Sequence, residues 1–151
     1  MFVYRIAKKT HIRDLSGTGA RLYGGRWNHK GVSLIYTSES RALAIVEFLV
    51  NIPMSLVPNK LSIATLKIAT KIIPKEITIT DLPRNWRDYP SPTILADIGT
   101  QWIVSNESAL LRVPSAVVED EFNILINPSH PDMKHVTIAD IKDSRLGKRM
   151  R

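Results

Sequence analysis

The sequence contains no cysteine among its 151 residues, and this absence excludes disulfides, thiol nucleophiles and cysteine-ligated metal centres. Its four histidines show no helical i,i+4 pairing, so we expect no metal site. The dinucleotide fingerprint G-x-G-x-x-G, the P-loop and the G-x-S-x-G elbow of serine hydrolases are also missing. A Rossmann site, a P-loop nucleotidase and a serine triad are therefore not expected.

Long apolar runs are missing as well. The longest, Ala42 to Val50, contains Glu47 and falls short of the roughly 20 residues that a membrane-spanning helix needs. The N-terminus has no apolar segment of the kind found in secretion signals, because Arg5, Lys8 and Lys9 interrupt it. We therefore expect a cytoplasmic protein with no membrane partner.

The net charge of +7 is concentrated at the two ends of the chain. Residues 1–50 carry eight basic and three acidic side chains, and residues 141–151 carry five basic and one acidic. We interpret residues 142–151 as a solvated basic tail, in preference to an arm that binds nucleic acid. The N-terminal excess surrounds a stretch rich in glycine and arginine, where part of it would attract an anion.

The length fits a single domain with one core of ordinary size. Alternating segments and short apolar runs predict many strands, whereas helical periodicity supports two helices. Residues 8–30 are expected to be irregular, with short strands. The predicted strands are residues 3–7, 32–37, 61–68, 77–79, 110–113, 116–118 and 122–126, the last of the strong ones. This mixed spacing predicts an α+β fold with a split, strongly bent mixed sheet and few helices.

The first predicted helix is capped by Thr37 or Ser38 and runs to about Val50. Glu47 falls beside the apolar stripe of this helix. A carboxylate in that position is costly unless it is paired, so we expect it to have a cationic or hydrogen-bond-donating partner. The expected buried face consists of Ala42, Ile45, Val46 and Leu49, at i, i+3, i+4 and i+7.

The second predicted helix begins with Ser91 as its cap and Pro92 as its first residue. Further along, Pro114 interrupts two strand-like runs and implies an edge or a bulge. Ser115 therefore lies where a sheet opens and a side chain can be re-aimed. The apolar face expected for the second helix consists of Ile94, Leu95, Ile98 and Trp102.

The stretch Gly24-Gly25-Arg26-Trp27-Asn28 is the centre of the predicted site. Two glycines allow close approach of the backbone to a ligand, and arginine offers a planar fork of donors that matches phosphate oxygens. Tyr36 adds a stacking face, and the carboxylate of Glu47 can stabilise positive charge. Together these groups predict a site for an anionic, ring-containing molecule whose reaction develops a cation. Trp27 and Asn28 have no role that the residues themselves supply.

Several segments resemble the RES domain, a family named for its arginine, glutamate and serine. The resemblance runs in order over nearly the whole chain, and the combination is far more specific than any single segment. The basic end, Gly147 to Arg151, is not required by the family pattern. The segments that carry the resemblance are Gly24–Asn28, Gly31, Tyr36, Leu43–Glu47, Leu111–Val118, Asn123–Pro128 and His130-Pro131.

The resemblance implies one RES domain over residues 1–151, with the fold of ADP-ribosyltransferases of the diphtheria-toxin kind. It implies that NAD is consumed as a substrate, with no prosthetic group. RES proteins are toxins of bacterial type II toxin–antitoxin pairs that a helix-turn-helix antitoxin neutralises. Such an antitoxin is therefore the implied partner, and nucleic acid would be reached only through it.

By the same resemblance, Arg26, Tyr36, Glu47 and Ser115 form the site. Glu47 would stabilise the oxocarbenium-like transition state that forms when the nicotinamide–ribose bond breaks. Arg26 would hold a phosphate of NAD, and Tyr36 would stack against nicotinamide or its ribose. Ser115 would hydrogen-bond the nicotinamide-ribose or orient Glu47.

Three points stay open at the level of the sequence. Arg5 and Arg13 are further candidates for a phosphate contact. The acceptor of ADP-ribose is undetermined, since water gives hydrolysis, inorganic phosphate gives phosphorolysis and a protein side chain gives a modified target. The alternative to an enzyme is a module that binds nucleic acid or a nucleotide, favoured by the charge of +7 but not by aromatic residues in the basic tail.

Overall fold

A computed structural model describes residues 1–146, and within this range the chain forms three α-helices and seven β-strands. Residues 147–151, the second half of the predicted basic tail, lie outside the described part. No helix within residues 1–146 is long and apolar enough to cross a membrane. The elements are β1 (Phe2–Lys8), α1 (Thr18–Tyr23), β2 (Ile35–Ser38), α2 (Arg41–Val50), β3 (Leu61–Ile68), β4 (Lys75–Glu76), α3 (Thr93–Ser105), β5 (Leu110–Pro114), β6 (Phe122–Ile126) and β7 (Val136–Ser144).

The strands of the described residues form one sheet in the order β4-β5-β6-β2-β1-β3-β7. Neighbouring strands are antiparallel except β4 and β5, which are parallel, so the sheet is mixed. β1 pairs with β3 from Phe2 to Lys8, but within residues 1–146 it pairs with β2 only where Tyr4 faces Ser38. The sheet is therefore close to dividing at that point. The predicted α+β class, with a mixed sheet and few helices, is confirmed.

The part of the sheet formed by β2, β5 and β6 is buried on both faces. Successive side chains of a strand point to opposite faces, so Leu110 and Ile126 pack in one apolar cluster while Leu111 and Leu125 pack in another. Helix α3 covers the second of these faces. The second cluster contains all three tryptophans of the chain: Trp27, Trp86 and Trp102.

Helix α2 begins later than predicted. Its cap is Ser40, whose Oγ accepts the backbone N–H of Leu43 at 3.0 Å, because the two predicted caps still belong to β2. The predicted buried face is also wrong, since Ala42 is exposed, the other three predicted residues are only half-buried, and the buried residues are Leu43 and Ala44. This side packs on β1 and β2. The segment is apolar around most of its circumference, so its hydrophobic period alone could not identify the face.

The other two helices also depart from the prediction. Residues 8–30 contain α1 where irregular backbone was expected. Helix α3 begins after Pro92 without a side-chain cap, and Ile94 is 45% exposed. A Cβ at Gly99 would lie only 1.8 Å from the carbonyl oxygen of Trp27, so a close backbone approach fixes the face of α3 that is buried. The buried residues of that face are Leu95, Ala96, Gly99 and Trp102.

Two predicted strands are replaced by turns. Residues 77–79 do not form a strand, because β4 ends just before them and Thr78 and Asp81 form a capping box for a 3₁₀ turn. Residues 116–118 form a bend. The bend arises because the Oγ of Ser115 accepts two backbone N–H groups from this segment, at 3.1 and 3.0 Å.

Strand β7 is absent from the prediction, which placed the last strong strand at residues 122–126. It lies at the edge of the sheet, where it pairs with β3 and most of its side chains are exposed. An exposed edge strand lacks the apolar alternation by which strands are recognised. Lys142 to Ser144 belong to this strand, so the predicted tail cannot begin at residue 142.

Replacing Gly99 by alanine is expected to destabilise the protein by about 3 kcal/mol, because the added methyl group meets backbone rather than a movable side chain. Gly19→Ala in α1 is the matched control. Nothing lies within 4 Å of a Cβ at that position, so this change should be neutral or stabilise by roughly 0.5–1 kcal/mol. Urea unfolding followed by tryptophan fluorescence measures both, and equal midpoints would contradict the close packing of α3 on Trp27.

Candidate active site

The glycine–arginine stretch forms a tight turn between α1 and β2. The backbones of Gly25 and Asn28 exchange two hydrogen bonds across it, at 3.0 and 3.4 Å. Glycine is required because a Cβ at Gly25 would lie 2.6 Å from the hydroxyl of Tyr36. Helix α3 holds the turn from outside, where Nε2 of His29 lies 2.6 Å from Oδ1 of Asp97. The turn is thus fixed between β2 and α3.

Trp27 and Asn28 have structural roles. The side-chain amide of Asn28 donates to three backbone carbonyls in α1 and the following turn, at 2.9, 3.2 and 3.1 Å. Its Oδ1 accepts the hydroxyl of Tyr36 at 2.6 Å, and that hydroxyl accepts the backbone N–H of Trp27 at 3.0 Å. The indole of Trp27 is 2% exposed and packs with the other two tryptophans. Both residues therefore hold the turn in shape.

The hydroxyl of Tyr36 is committed to these internal hydrogen bonds. Burial raises the pKa of Tyr36, and the N–H of Trp27 and the charge of Arg26 oppose that rise only partly. The hydroxyl is therefore held neutral as a donor to Asn28. Tyr36 also lines a cavity of about 530 Å³, so the face of its ring is what it can offer to a ligand.

Glu47 lies on the buried side of α2, one helical turn after Leu43 and Ala44. Its Oε1 accepts two hydrogen bonds, one from Ser115 Oγ at 2.6 Å and one from Asn123 Nδ2 at 2.9 Å. The expectation that this carboxylate has donor partners is thereby confirmed. Among the described residues, no hydrogen bond is made to Oε2, which is left available to a ligand.

Ser115 follows β5 directly and is 1% exposed. Its Oγ accepts the backbone N–H groups of Val117 and Val118, which occupy both lone pairs of the oxygen. The hydroxyl proton then has one direction left, which is toward Glu47. Of the two roles that the resemblance implies for Ser115, this geometry matches the orientation of Glu47.

Asn123 belongs to this cluster, although the sequence-based site omits it. It lies on β6 directly opposite Ser38 of β2, and the Oγ of Ser38 donates to its Oδ1 at 2.7 Å. The sequence does carry a signal, because Asn123 is the single polar residue in the strand Phe122–Ile126. A half-buried polar residue within an apolar strand needs a hydrogen-bond partner, and here the partner is Glu47.

Arg26 extends from the turn toward the loop that precedes α3. Its Nη1 donates to the carbonyl of Trp86 at 2.7 Å and its Nη2 to that of Asp88 at 3.2 Å. Burial lowers the pKa of Arg26, and the negative charge of Glu47 is the largest opposing influence. The structure therefore brings Arg26 into the field of Glu47. Arg26 is not among the residues that line the two adjoining cavities described below.

A cavity of about 530 Å³ lies between α1, β1, β2 and α2. This volume is within the usual range of small-molecule sites, roughly 300–1,000 Å³. Within residues 1–146, no group of three or more histidine, aspartate or glutamate side chains could hold a metal ion. The aromatic, charged and amide side chains that line the cavity are Tyr4, Arg5, Tyr23, Tyr36, Glu47, Phe48, Asn51 and Asn123.

Arg5 also lines a second cavity of about 460 Å³ that adjoins the first. Its Nη1 donates to the carbonyls of Ile12 at 2.7 Å and His11 at 3.3 Å. Burial lowers the pKa of Arg5, and the charge of Asp14 opposes this effect. Arg13, the other candidate, is exposed and lines neither cavity.

The fold and the site define a class of protein: a small α+β domain that presents a fixed carboxylate, an arginine and aromatic rings at a ligand-sized cavity. The arginine, the glutamate and the serine come from the turn, from α2 and from the end of β5. The RES domain model matches residues 2–146. The chain belongs to the RES domain family, and the predicted family is confirmed.

Relatives with assigned names cover most of the chain. The Prs ADP-ribosylating toxin of Sphingobium sp. (strain YBL2) is 36% identical over 146 residues, which are 95% of this chain and 91% of the relative. Toxin Res of Yersinia enterocolitica serotype O:8 / biotype 1B is 40% identical over 131 residues, which are 86% of each chain. A chain of the M. tuberculosis MbcT–MbcA toxin–antitoxin complex is similar in structure, with a TM-score of 0.79 at 17% identity, over 99% of this chain and 88% of its own. This last likeness supports the fold alone.

Tyr36→Phe tests the hydrogen bonds that hold the turn. The change removes the hydroxyl and leaves Trp27 N–H and Asn28 Oδ1 without their partner, so we expect a loss of about 1–3 kcal/mol of stability. Tyr89→Phe is the control, because Tyr89 is 84% exposed and should be unaffected. Thermal unfolding measures both variants. A Tyr36→Phe protein as stable as the wild type would show that the hydroxyl is not needed for the turn.

Proposed function

We propose that this chain is an enzyme that consumes NAD by cleaving the bond between nicotinamide and ribose. The observation that carries the proposal is the carboxylate of Glu47, which has one oxygen fixed by two donors and the other without a hydrogen bond from residues 1–146. A carboxylate held in this way is suited to stabilise positive charge on a bound sugar. Membership of the RES domain family and the ADP-ribosylating relative support the same chemistry.

In the proposed reaction, the bond between the ribose C1 and the pyridinium nitrogen breaks. The electron pair of this bond leaves with nicotinamide, which becomes neutral, and the ribose becomes an oxocarbenium ion. The negative charge of Glu47 stabilises this ion without rearrangement, because Ser115 and Asn123 already hold the carboxylate in place. An acceptor then forms a bond to C1 and loses a proton to solvent.

The other residues bind and orient NAD in this proposal. Tyr36 presents its ring to nicotinamide or to the adjoining ribose. Arg5 lines the cavity and offers a phosphate contact. Arg26 has N–H donors beyond the two that bind loop carbonyls, and we assign those donors to a phosphate of NAD. Arg13 would reach only a part of the ligand that extends outside both cavities.

The acceptor decides the product. Water would give ADP-ribose, and inorganic phosphate would give ADP-ribose 1-phosphate. Transfer to a protein side chain is a second candidate function, supported by the name of the Sphingobium relative, an ADP-ribosylating toxin. All three outcomes share the first bond cleavage and therefore the same requirement for Glu47.

The biological role that we propose is that of a toxin that acts in the bacterial cytoplasm. Relatives that cover most of the chain are named Toxin Res, and the similar solved structure is part of a toxin–antitoxin complex. We propose a helix-turn-helix antitoxin as the partner, which follows from the resemblance to RES toxins. In this proposal the chain, despite its positive net charge, is linked to nucleic acid only through the antitoxin.

Glu47→Gln tests the proposed chemistry. The amide keeps the size of the side chain but removes its negative charge, so nicotinamide release from NAD should fall about 100- to 1,000-fold. Glu107→Gln is the matched control, because Glu107 forms an exposed ion pair with Lys75 at 2.5 Å and should release nicotinamide at the wild-type rate. Chromatography of nicotinamide measures all three proteins, and unfolding curves confirm that each is folded. Absence of release by the wild type, with and without phosphate, would reject the function.

Product analysis distinguishes the acceptors. The wild type is incubated with NAD alone, with added phosphate and with a cell extract. We expect ADP-ribose with NAD alone. Added phosphate should give ADP-ribose 1-phosphate if phosphorolysis dominates, and the cell extract should give ADP-ribosylated protein if transfer dominates. Salt-dependent binding to DNA or RNA that does not change in Glu47→Gln, together with an absence of nicotinamide release, would instead support the nucleic-acid-binding alternative.

A further inference from the structure

We infer that Asn123 is a positioning residue for Glu47: with Ser115 it reserves Oε1 for the protein and leaves Oε2 to face the reacting ribose. This inference rests on the proposed function. It adds a fourth group to the arginine, the glutamate and the serine. Asn123 lies on β6, where it contacts Glu47 and is itself contacted by Ser38 of β2.

The orientation of the Asn123 amide follows from the chemistry of its neighbours. An ionised carboxylate only accepts hydrogen bonds, so the atom 2.9 Å from Glu47 Oε1 must be the amide nitrogen. The amide oxygen then faces Ser38, whose Oγ lies 2.7 Å away and donates to it. Ser38 is 4% exposed and lies opposite Asn123 in the register of β2 and β6, so this donor is fixed by the sheet.

Two chains of hydrogen bonds therefore converge on one oxygen. One runs from Ser38 through Asn123 to Oε1 of Glu47, and the other runs from the bend after β5 through Ser115 to the same atom. Two donors that approach a single oxygen from two strand ends fix the torsion of the carboxylate as well as its position. A displacement of about 1 Å at a reacting group can cost roughly 100-fold in rate, so loss of either donor should lower turnover.

Asn123→Ala should lower kcat roughly 10- to 100-fold and change KM less than about twofold, because the carboxylate is misplaced while the side chains assigned to bind NAD remain. A residue that acted mainly by contacting NAD would raise KM instead. Asn127→Ala is the matched control. Asn127 is buried and, like Asn123, is bonded through its amide, to Asn106 at 3.1 Å, but it does not line the cavity, so its loss should leave kcat unchanged.

Asn123→Asp provides a readout that a merely structural role would not produce. The new carboxylate is almost isosteric and faces Glu47, so the two groups can bond only while they share a proton. As pH rises through the raised pKa of the pair, that proton is lost and two like charges face each other. Activity and melting temperature of this variant should therefore fall between about pH 5 and pH 8, in a step that the wild type lacks.

The titratable and charged groups around Glu47 do not supply such a step in the described chain, because they include no second carboxylate and no imidazole. A step in the pH profile of Asn123→Asp is therefore assigned to the pair of carboxylates. The groups in question are Tyr4 and Arg5 on β1, Tyr23 on α1, Arg26 in the turn and Tyr36 on β2.

The experiment measures kcat, KM and melting temperature against pH for the wild type, Asn123→Ala, Asn127→Ala, Asn123→Asp and the double variant Glu47→Gln/Asn123→Asp. The double variant has no facing carboxylates, so the fall in melting temperature with pH should disappear. The inference is overturned if Asn123→Ala keeps the wild-type kcat, if Asn127→Ala loses as much, or if Asn123→Asp follows the wild-type pH profile. Melting temperatures need no NAD, so they decide the contact with Glu47 even if the wild type releases no nicotinamide and the proposed function fails.

Discussion

The hydrogen bond from Ser115 Oγ to Glu47 Oε1 is the interaction on which the site depends. It exists because β5 ends at Pro114 and the chain then bends. In this bend the serine oxygen accepts two backbone N–H groups, which leaves its proton to point toward Glu47. It also requires that α2 present Glu47 on its buried side. A carboxylate on the buried side of a helix is costly unless it accepts hydrogen bonds. The burial of Glu47 therefore depends on the donors that the end of β5 supplies.

The turn that carries Arg26 is also held by hydrogen bonds and close packing within the protein. Asn28 holds the hydroxyl of Tyr36, and α3 presses on the turn closely enough that Gly99 has no room for a side chain. Arg26 then reaches two carbonyls of the loop before α3. Residues that look like a binding motif in the sequence therefore use most of their hydrogen bonds to hold the wall of the cavity. This keeps the position of the tyrosine ring fixed relative to the glutamate.

The parts of the fold that could be predicted are those with strong apolar alternation. Strands β3, β5 and β6 are recognisable because most of their residues are buried, and β1 because its residues alternate in character. Strand β7 is not recognisable, because most of its side chains are exposed at the sheet edge. The predicted face of α2 is wrong because apolar residues surround much of that helix, so only its packing on β1 and β2 decides which of them are buried. Helix α1, with six residues around Gly19 and Ala20, is too short for a periodic signal.

The sequence by itself supplied the groups of the predicted site: one carboxylate, one arginine, one serine and a tyrosine, with no cysteine, in an order that resembles the RES family. Only the tertiary structure decided which atoms meet. It assigned Oε1 of Glu47 to Ser115 and Asn123, placed Arg5 in the cavity and left Arg13 outside. The physical reason is distance along the chain, since Glu47 is separated from these two partners by 68 and 76 residues. Contacts of that kind are set by strand register and helix packing, which no local pattern of residues encodes.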